Sequence, residues 1–294
     1  MALLFVGLML GGTFALGASD VLKKKYLKDG LDDQALLTIT LFLTGVLPVP
    51  VLLIVGIPEI KEGFWLAAAT TILLNVISQN LFIRAFKLSD ASLVAPLRLI
   101  IPPLVIVTGF VFLRETPSLI GTVGIFVTMV GLWFLLGGRK KDGQPVHQVW
   151  LKDRGVAYGL AGSLLFAISF PFDKITVVTS SAIFATCSVF SVLGLCTFAI
   201  NVVRDRTFAR KVFLSCTQHL TANVMVSVFS AVGIVMTNQA LNYSLVAYAS
   251  SLKRLQALWT VIIAGKFLQE KEMKRRVIAT VIMFLGILLS VFWK

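Results

Sequence analysis

The stretch Ala85-Phe86-Lys87-Leu88-Ser89-Asp90-Ala91-Ser92-Leu93-Val94-Ala95 runs on into Arg98, Pro102-Pro103 and Leu113-Arg114-Glu115, and a related spacing returns 155 residues later. At that shift Ala85 falls on Ala240, Leu97 on Leu252, Arg98 on Lys253, Phe112 on Phe267, Leu113 on Leu268, Glu115 on Glu270 and Gly131 on Gly286. Shared leucines carry little weight between two apolar segments. The matched basic residues, glutamates and glycines carry more, and together they define an internal repeat.

The surroundings of this stretch decide the solvent. Hydrophobic residues make up 57% of the 294 and charged residues 14%, with a mean hydropathy of +0.91. A soluble domain is about 45–50% apolar and about 25% charged. Such a chain cannot cover a water-exposed globule with polar groups, which excludes a soluble enzyme, a disordered protein and a coiled coil. Apolar runs fall at 2–22, 34–56, 63–85, 91–113, 117–137, 154–172, 180–203, 215–238, 245–268 and 274–293. Each is near the ~20 residues that a helix needs to cross the hydrocarbon layer. None alternates every second residue as a barrel strand would. The first run lacks a basic leader and reads as a retained span. The expectation is an all-α integral membrane protein with ten transmembrane helices.

The longest polar stretch lies at the midpoint, so residues 1–137 and 154–294 read as two five-helix repeats joined by a connecting loop at 138–153. An odd number of spans brings the second repeat into the membrane from the opposite side. Two inverted repeats around a central cavity are transporter architecture, with the site at their interface.

The net charge of +13 suggests no nucleic acid here, because basic residues in a membrane protein gather in cytoplasmic loops. The odd-numbered connections hold 18 Lys and Arg (among them Lys23, Lys24, Lys25, Arg139, Arg204 and Arg210) and the even-numbered ones hold Lys61, Arg114 and Lys174. This skew places the odd connections in the cytoplasm and both termini outside. The expected location is the cell inner (plasma) membrane, multi-pass. Cys187, Cys196 and Cys216 show no paired spacing and read as small buried hydrophobes. No metal pattern, Gly-rich phosphate loop or other cofactor signal is visible.

Interior charges are costly in lipid, about 2.5–3.5 kcal/mol each on insertion scales. Arg98 lies about eight residues into the fourth span, and Lys253-Arg254 equally deep in the ninth. At ~1.5 Å per residue that depth exceeds what a snorkelling side chain covers. Neither span has a carboxylate of its own to neutralise them. A substrate-facing basic cluster follows, suited to a compact anion: arginine matches carboxylate or phosphate bidentately and lysine adds a point charge. Asp20 and Asp173 close the first and sixth spans, with Lys23–Lys25 and Lys174 beside them. They read as gate ion pairs, as proton sites or as ordinary interfacial residues. Asn80 and Gln239, in the polar clusters Asn75-Ser78-Gln79-Asn80 and Asn238-Gln239, either bind substrate or bond between helices. Trp259 sits deeper than the other tryptophans and either lines the cavity or packs.

The quoted stretch, with Gly131 and its second copy through Ala240, Ser250, Glu270 and Gly286, resembles the paired EamA modules of the drug/metabolite transporter superfamily. In that pattern an Ala/Ser-rich helix start precedes a central proline, a terminal glutamate and a glycine in the next helix. The second copy lacks the proline. The resemblance spans essentially the whole chain and implies ten helices, a central cavity and export or exchange of small metabolites. There is also a similarity of site to the plastid triose-phosphate/phosphate translocators, which carry a basic residue four before a proline on the fourth span and a Leu-Lys-Arg on the ninth. Here these are Arg98 with Pro102, and Leu252-Lys253-Arg254, with Arg98 standing where those relatives have lysine. The similarity implies that these three form an anion clamp.

The expected function is therefore a secondary active transporter, not an enzyme, that moves a small organic anion, phosphorylated or not, by alternating access. Its partners would be the substrate and the lipid bilayer, and the protein would be a monomer or homodimer. An exporter of neutral or zwitterionic metabolites such as amino acids is the alternative, with Asp20 and Asp173 neutralising the cations. A flippase holding a lipid phosphate would further need a lateral opening. An enzyme would need an acid/base or metal constellation that the sequence does not display.

Overall fold

The computed structural model describes residues 1–28, 30–89, 94–136, 153–268, 278, 281–286 and 288–289. Asp90–Leu93, Glu270, all of the midpoint connection but Asp153, and most of the tenth expected span lie outside them. All regular secondary structure among the described residues is helical, with no strand among them. In chain order the helices are α1 (Ala2–Lys28), α2 (Asp33–Val46), α3 (Val49–Val55), α4 (Phe64–Leu88), α5 (Ile101–Leu113), α6 (Leu119–Leu136), α7 (Arg154–Val178), α8 (Ala182–Arg204), α9 (Phe208–Gln218), α10 (Leu220–Ala240), α11 (Val246–Leu252) and α12 (Leu255–Leu268). Among the described residues, six helices are long and apolar enough to cross a membrane, with shorter apolar helices at Leu97–Leu113 and Leu119–Gly131.

Local chemistry explains most boundaries. The Asp32 side chain accepts from Ala35 N at 2.9 Å to cap α2, and Ser181 does the same for Phe184 N at 3.2 Å to cap α8. Asp153 starts α7 by accepting from Gly155 N (2.7 Å), Val156 N (3.1 Å) and the Ser89 hydroxyl. These bonds to its charged form hold the Asp153 carboxyl below its ordinary value, Ser89 contributing most. The second span is interrupted at Leu47-Pro48, because Pro48 and Pro50 cannot donate to the helix ladder.

Four details correct the sequence reading. The eighth span begins at Leu220 rather than 215: residues 215–218 belong to α9, which His219 closes. The first and sixth spans continue past 22 and 172, to Lys28 and Val178, so Asp20 and Asp173 sit inside helices rather than closing them. The fourth span is not one α-helix. A 3-10 segment at Ala95–Ile100 precedes α5, as expected where Pro102 and Pro103 withdraw two donors. The ninth span breaks too, between α11 and α12 at Lys253-Arg254, where Arg254 N bonds Ser251 O at 3.0 Å.

Small residues let the helices approach closely. Gly12 of α1 and Gly233 of α10 face each other, so a Cβ on either would press on the other's carbonyl, at 3.0 and 2.8 Å. Ser19 completes that crossing with bonds to Val226 O (3.0 Å) and Ser230 Oγ (2.8 Å). The crossing of α4 with α7 has the same character, with Ser78 donating to Gly162 O at 2.8 Å. Each of these crossings joins residues from opposite halves of the chain. Within α7, Pro171 leaves the carbonyl of Ala167 without its helical donor. The Thr108 hydroxyl of α5 supplies one at 2.9 Å.

Candidate functional site

A cavity of about 220 Å³ opens between α1, α2, α4, α7, α8, α10 and the break that separates α11 from α12. Its polar wall includes Lys23, Asn75, Gln79, Asp173, Asn238 and Lys253. A larger crevice of about 560 Å³ between α4 and α8 is lined almost wholly by apolar side chains such as Trp65, Ile72 and Val192. It offers little to orient a polar substrate, so the smaller cavity is the candidate site.

Both cation positions coincide with the interruptions of their helices. Arg98 stands in the 3-10 segment, where Ile101 N bonds its carbonyl, and Lys253-Arg254 form the break itself. Interrupted helices are where transporters free side chains and backbone for substrates. Carboxylates arrive from other helices. Asp173 of α7 accepts from the Thr71 hydroxyl, which itself accepts from Asn75 Nδ2 at 3.0 Å, and it lies within electrostatic reach of Lys253. Asp20 of α1 accepts from Gln256 Nε2 at 2.6 Å, pairs with Lys23 at 3.5 Å and acts electrostatically on Arg98. Aromatic faces complete two of the environments: Arg98 lies 4.3 Å from the Phe82 ring centre and Lys253 5.3 Å from that of Phe170.

Arg254 differs. It lies within electrostatic reach of Arg98 and Lys253, and its Nε and Nη2 atoms are buried without a hydrogen-bond partner among the described residues. The Ser251 hydroxyl and the Trp259 indole nitrogen are buried and unpartnered in the same way. Trp259 meets Phe14 edge-on at 5.5 Å, and its Cβ lies against Gly17, so the ring packs α12 on α1.

Of the nine expected site residues, Lys253 and Asp173 line the cavity, Arg98, Arg254, Asp20 and Trp259 are not among its lining residues, and Asn80, Gln239 and Lys174 bond elsewhere. Asn80 donates back to Val76 O of its own helix at 2.7 Å, and Gln239 donates to the Tyr243 hydroxyl at 3.3 Å. Their neighbours Gln79 and Asn238 line the cavity instead. Lys174 bonds Glu115 and the Ser244 carbonyl, the latter at 2.7 Å, while the second Glu115 oxygen accepts from Val246 N at 2.7 Å. Tyr248 adds a contact on the same face, accepting from Ser118 N at 3.0 Å, and Lys61 N bonds Thr179 O at 2.8 Å. These bonds tie together the even-numbered connections. On the opposite face Lys211 reaches Asp205 at 2.9 Å and Asp32 at 3.8 Å, both exposed.

The roles of Thr71 and Glu115 were not read from the sequence. Thr71, Asn75 and Gln79 follow one another at four-residue steps, which puts all three on one helix face and Asn80 on another. Glu115 was visible as a repeated glutamate, without its partner.

A polytopic helical bundle with a charged internal cavity at interrupted helices is the architecture of a membrane transporter for small molecules. The EamA-like transporter family model matches residues 3–137 and 153–292, and the chain belongs to that family. No curated protein matches it closely. One solved structure, titled only as the crystal structure of a protein, superimposes with a TM-score of 0.74 at 11% identity, over 98% of this chain and 97% of its own. That likeness shows the fold alone.

Proposed function

We propose that this protein is a secondary transporter that moves a small organic anion across the membrane by alternating access of two inverted five-helix repeats. One observation carries the reading: Lys253 lines the cavity, and Arg254 beside it lies within electrostatic reach of both Lys253 and Arg98, so cations from the interrupted spans of both halves stand near one another. Lipid would penalise each of them, and an anion offsets that cost. An empty site of this kind reorients less easily than a filled one, which favours exchange over uniport. The bonded even-numbered connections and the presence of Lys23 in the cavity wall support a state open toward the odd-numbered connections.

The test uses purified protein in vesicles preloaded with unlabelled anion. Uptake of labelled anion that requires the preload and is lost in Arg98→Ala, Lys253→Ala and Arg254→Ala supports the proposal. Normal uptake by all three variants refutes it. A second reading, transport of a zwitterion or neutral metabolite, is favoured by the proximity of Asp20 to Arg98 and of Asp173 to Lys253. It requires accumulation driven by a pH gradient, with that drive lost in Asp173→Asn.

A further inference from the structure

Three amides on the cavity wall face one way. Asn75 of α4 donates through Nδ2 to the Thr71 carbonyl at 2.8 Å and to the Thr71 hydroxyl at 3.0 Å, and that hydroxyl spends its own hydrogen on Asp173. Asn238 of α10 donates to the Thr186 hydroxyl at 3.0 Å, whose hydrogen goes to Ala182 O at 2.7 Å. Gln256 of α12 donates to the Asp20 carboxylate at 2.6 Å. Each of these partners accepts, so the network fixes which end of each amide is which. The three carbonyl oxygens take no donor from the described residues, and none is shut away as Asn223 Oδ1 is. Asp173 of α7 joins them, because Thr71 occupies one of its oxygens and no described residue donates to the other. The wall therefore presents unspent acceptors from four helices. Beside them Lys253 has no carboxylate within ion-pair distance among the described residues, whereas Asp20 holds Lys23 at 3.5 Å.

Resting on the proposed transport of an organic anion, we infer that the substrate is a hydroxylated one: its anionic group lies toward Lys253, and its hydroxyls donate to the side-chain oxygens of Asn75, Asp173, Asn238 and Gln256. Such oxygens are satisfied only by a donor. Water fills that role while the cavity is open. A substrate that displaces it without bringing O–H groups leaves the oxygens unpaired in a low-dielectric site. The acceptors stand on separate helices, so donors spread along a chain, as in a polyhydroxy acid, reach more of them than one ammonium whose N–H groups diverge from a single atom. Carboxylate and phosphate suit Lys253 alike, so the hydroxyls rather than the anionic group set the selectivity. The cavity of about 220 Å³ lies below the ~300 Å³ at which ligand pockets commonly begin, which keeps the substrate small.

Counterflow by the full-length protein in vesicles, with the leak of protein-free vesicles subtracted, compares two matched pairs: glycerate against propionate, and glycerol 3-phosphate against propyl phosphate. Within each pair the anionic group is the same and two hydroxyls differ. The expected result is exchange of a hydroxylated member about tenfold or more faster than its deoxy partner, from the hydrogen bonds that the partner cannot make. Asn238→Leu removes one acceptor, and Gln79→Leu removes a wall amide that bonds no other described residue. Each should narrow the ratio about fivefold, the worth of one hydrogen bond, and thermal unfolding of each confirms that it is folded. Deoxy anions that exchange as fast as their hydroxylated partners overturn the inference while leaving anion transport standing. So does an unchanged ratio in both variants. Faster exchange of alanine than of glycerate overturns it in favour of an ammonium donor. Failure of every anion to move overturns the transport proposal itself.

Discussion

Removing Glu115 should loosen the face of the protein that holds the even-numbered connections. Its two oxygens serve two donors, Lys174 Nζ and Val246 N, and both side chains of the ion pair are only 15% exposed. Glu115→Ala leaves the ammonium with the Ser244 carbonyl alone and strips the first backbone N–H of α11 of its acceptor. Breaking a buried pair from one side costs about 3–5 kcal/mol, most of it from the charge left behind. Glu115→Gln retains one acceptor but no charge, and should cost about 1.5–3 kcal/mol, the value of one charged hydrogen bond. A paired Glu115→Leu/Lys174→Leu variant removes both charges and should recover much of the loss. The assay joins thermal unfolding to thiol labelling at Thr176→Cys, a buried cavity position near the end of α7, with the three native cysteines replaced. Labelling from the even-numbered side should rise about tenfold or more in Glu115→Gln, following the free-energy change. Unchanged labelling and an unchanged melting temperature in Glu115→Ala, or strict additivity in the double variant, would refute the reasoning.

Three further outcomes are expected. Gly233→Val places a Cβ 2.6 Å from Leu16 Cγ and 2.8 Å from Gly12 O, and should destabilise the protein by about 1–3 kcal/mol in a thermal or denaturant melt. The Asp205 carboxyl, bonded first by the Thr207 hydroxyl, then by Lys211 and Thr207 N, titrates at about 2, below its ordinary value. A depressed carboxyl adds stability above its unfolded pKa of ~3.9, and that stability fades as pH falls toward the folded value. Asp205→Asn should therefore flatten the loss of stability below pH ~4, and an unchanged acid profile would contradict it. Finally, a membrane-impermeant maleimide applied to intact cells should modify a cysteine at Glu59 and spare one at Thr207; the reverse pattern would place the odd-numbered connections outside.

Composition and repeat spacing made the helical membrane class and the EamA relationship legible, because both depend on residue type and order alone. The interior cations were legible for the same reason: Arg98 and Lys253-Arg254 stand out against lipid wherever they point. Their partners were not, since Asp20 and Asp173 reach them from helices far away in the chain. The fourth span was read as one continuous run although Pro102 and Pro103 stand beside its interruption, and the ninth breaks at Lys253-Arg254 with no proline to mark it. The ends of α1 and α7 were misjudged because hydropathy falls at Asp20 and Asp173, although the helical hydrogen bonding continues past both. The same insensitivity merged the end of α9 with the eighth span, which was read from 215 although α9 runs to Gln218 and α10 starts at Leu220.

Pro171 has a mechanical consequence. Beyond it, α7 is a short lever of seven residues, Phe172–Val178, that has lost one rung of its own ladder and borrows a hydroxyl from Thr108 to hold its angle. Two adjacent residues ride on that lever: Asp173 looks into the cavity at Lys253, and Lys174 clasps Glu115. A swing of the lever moves both together, so the clasp at the membrane face and the charge balance around the cargo share one pivot.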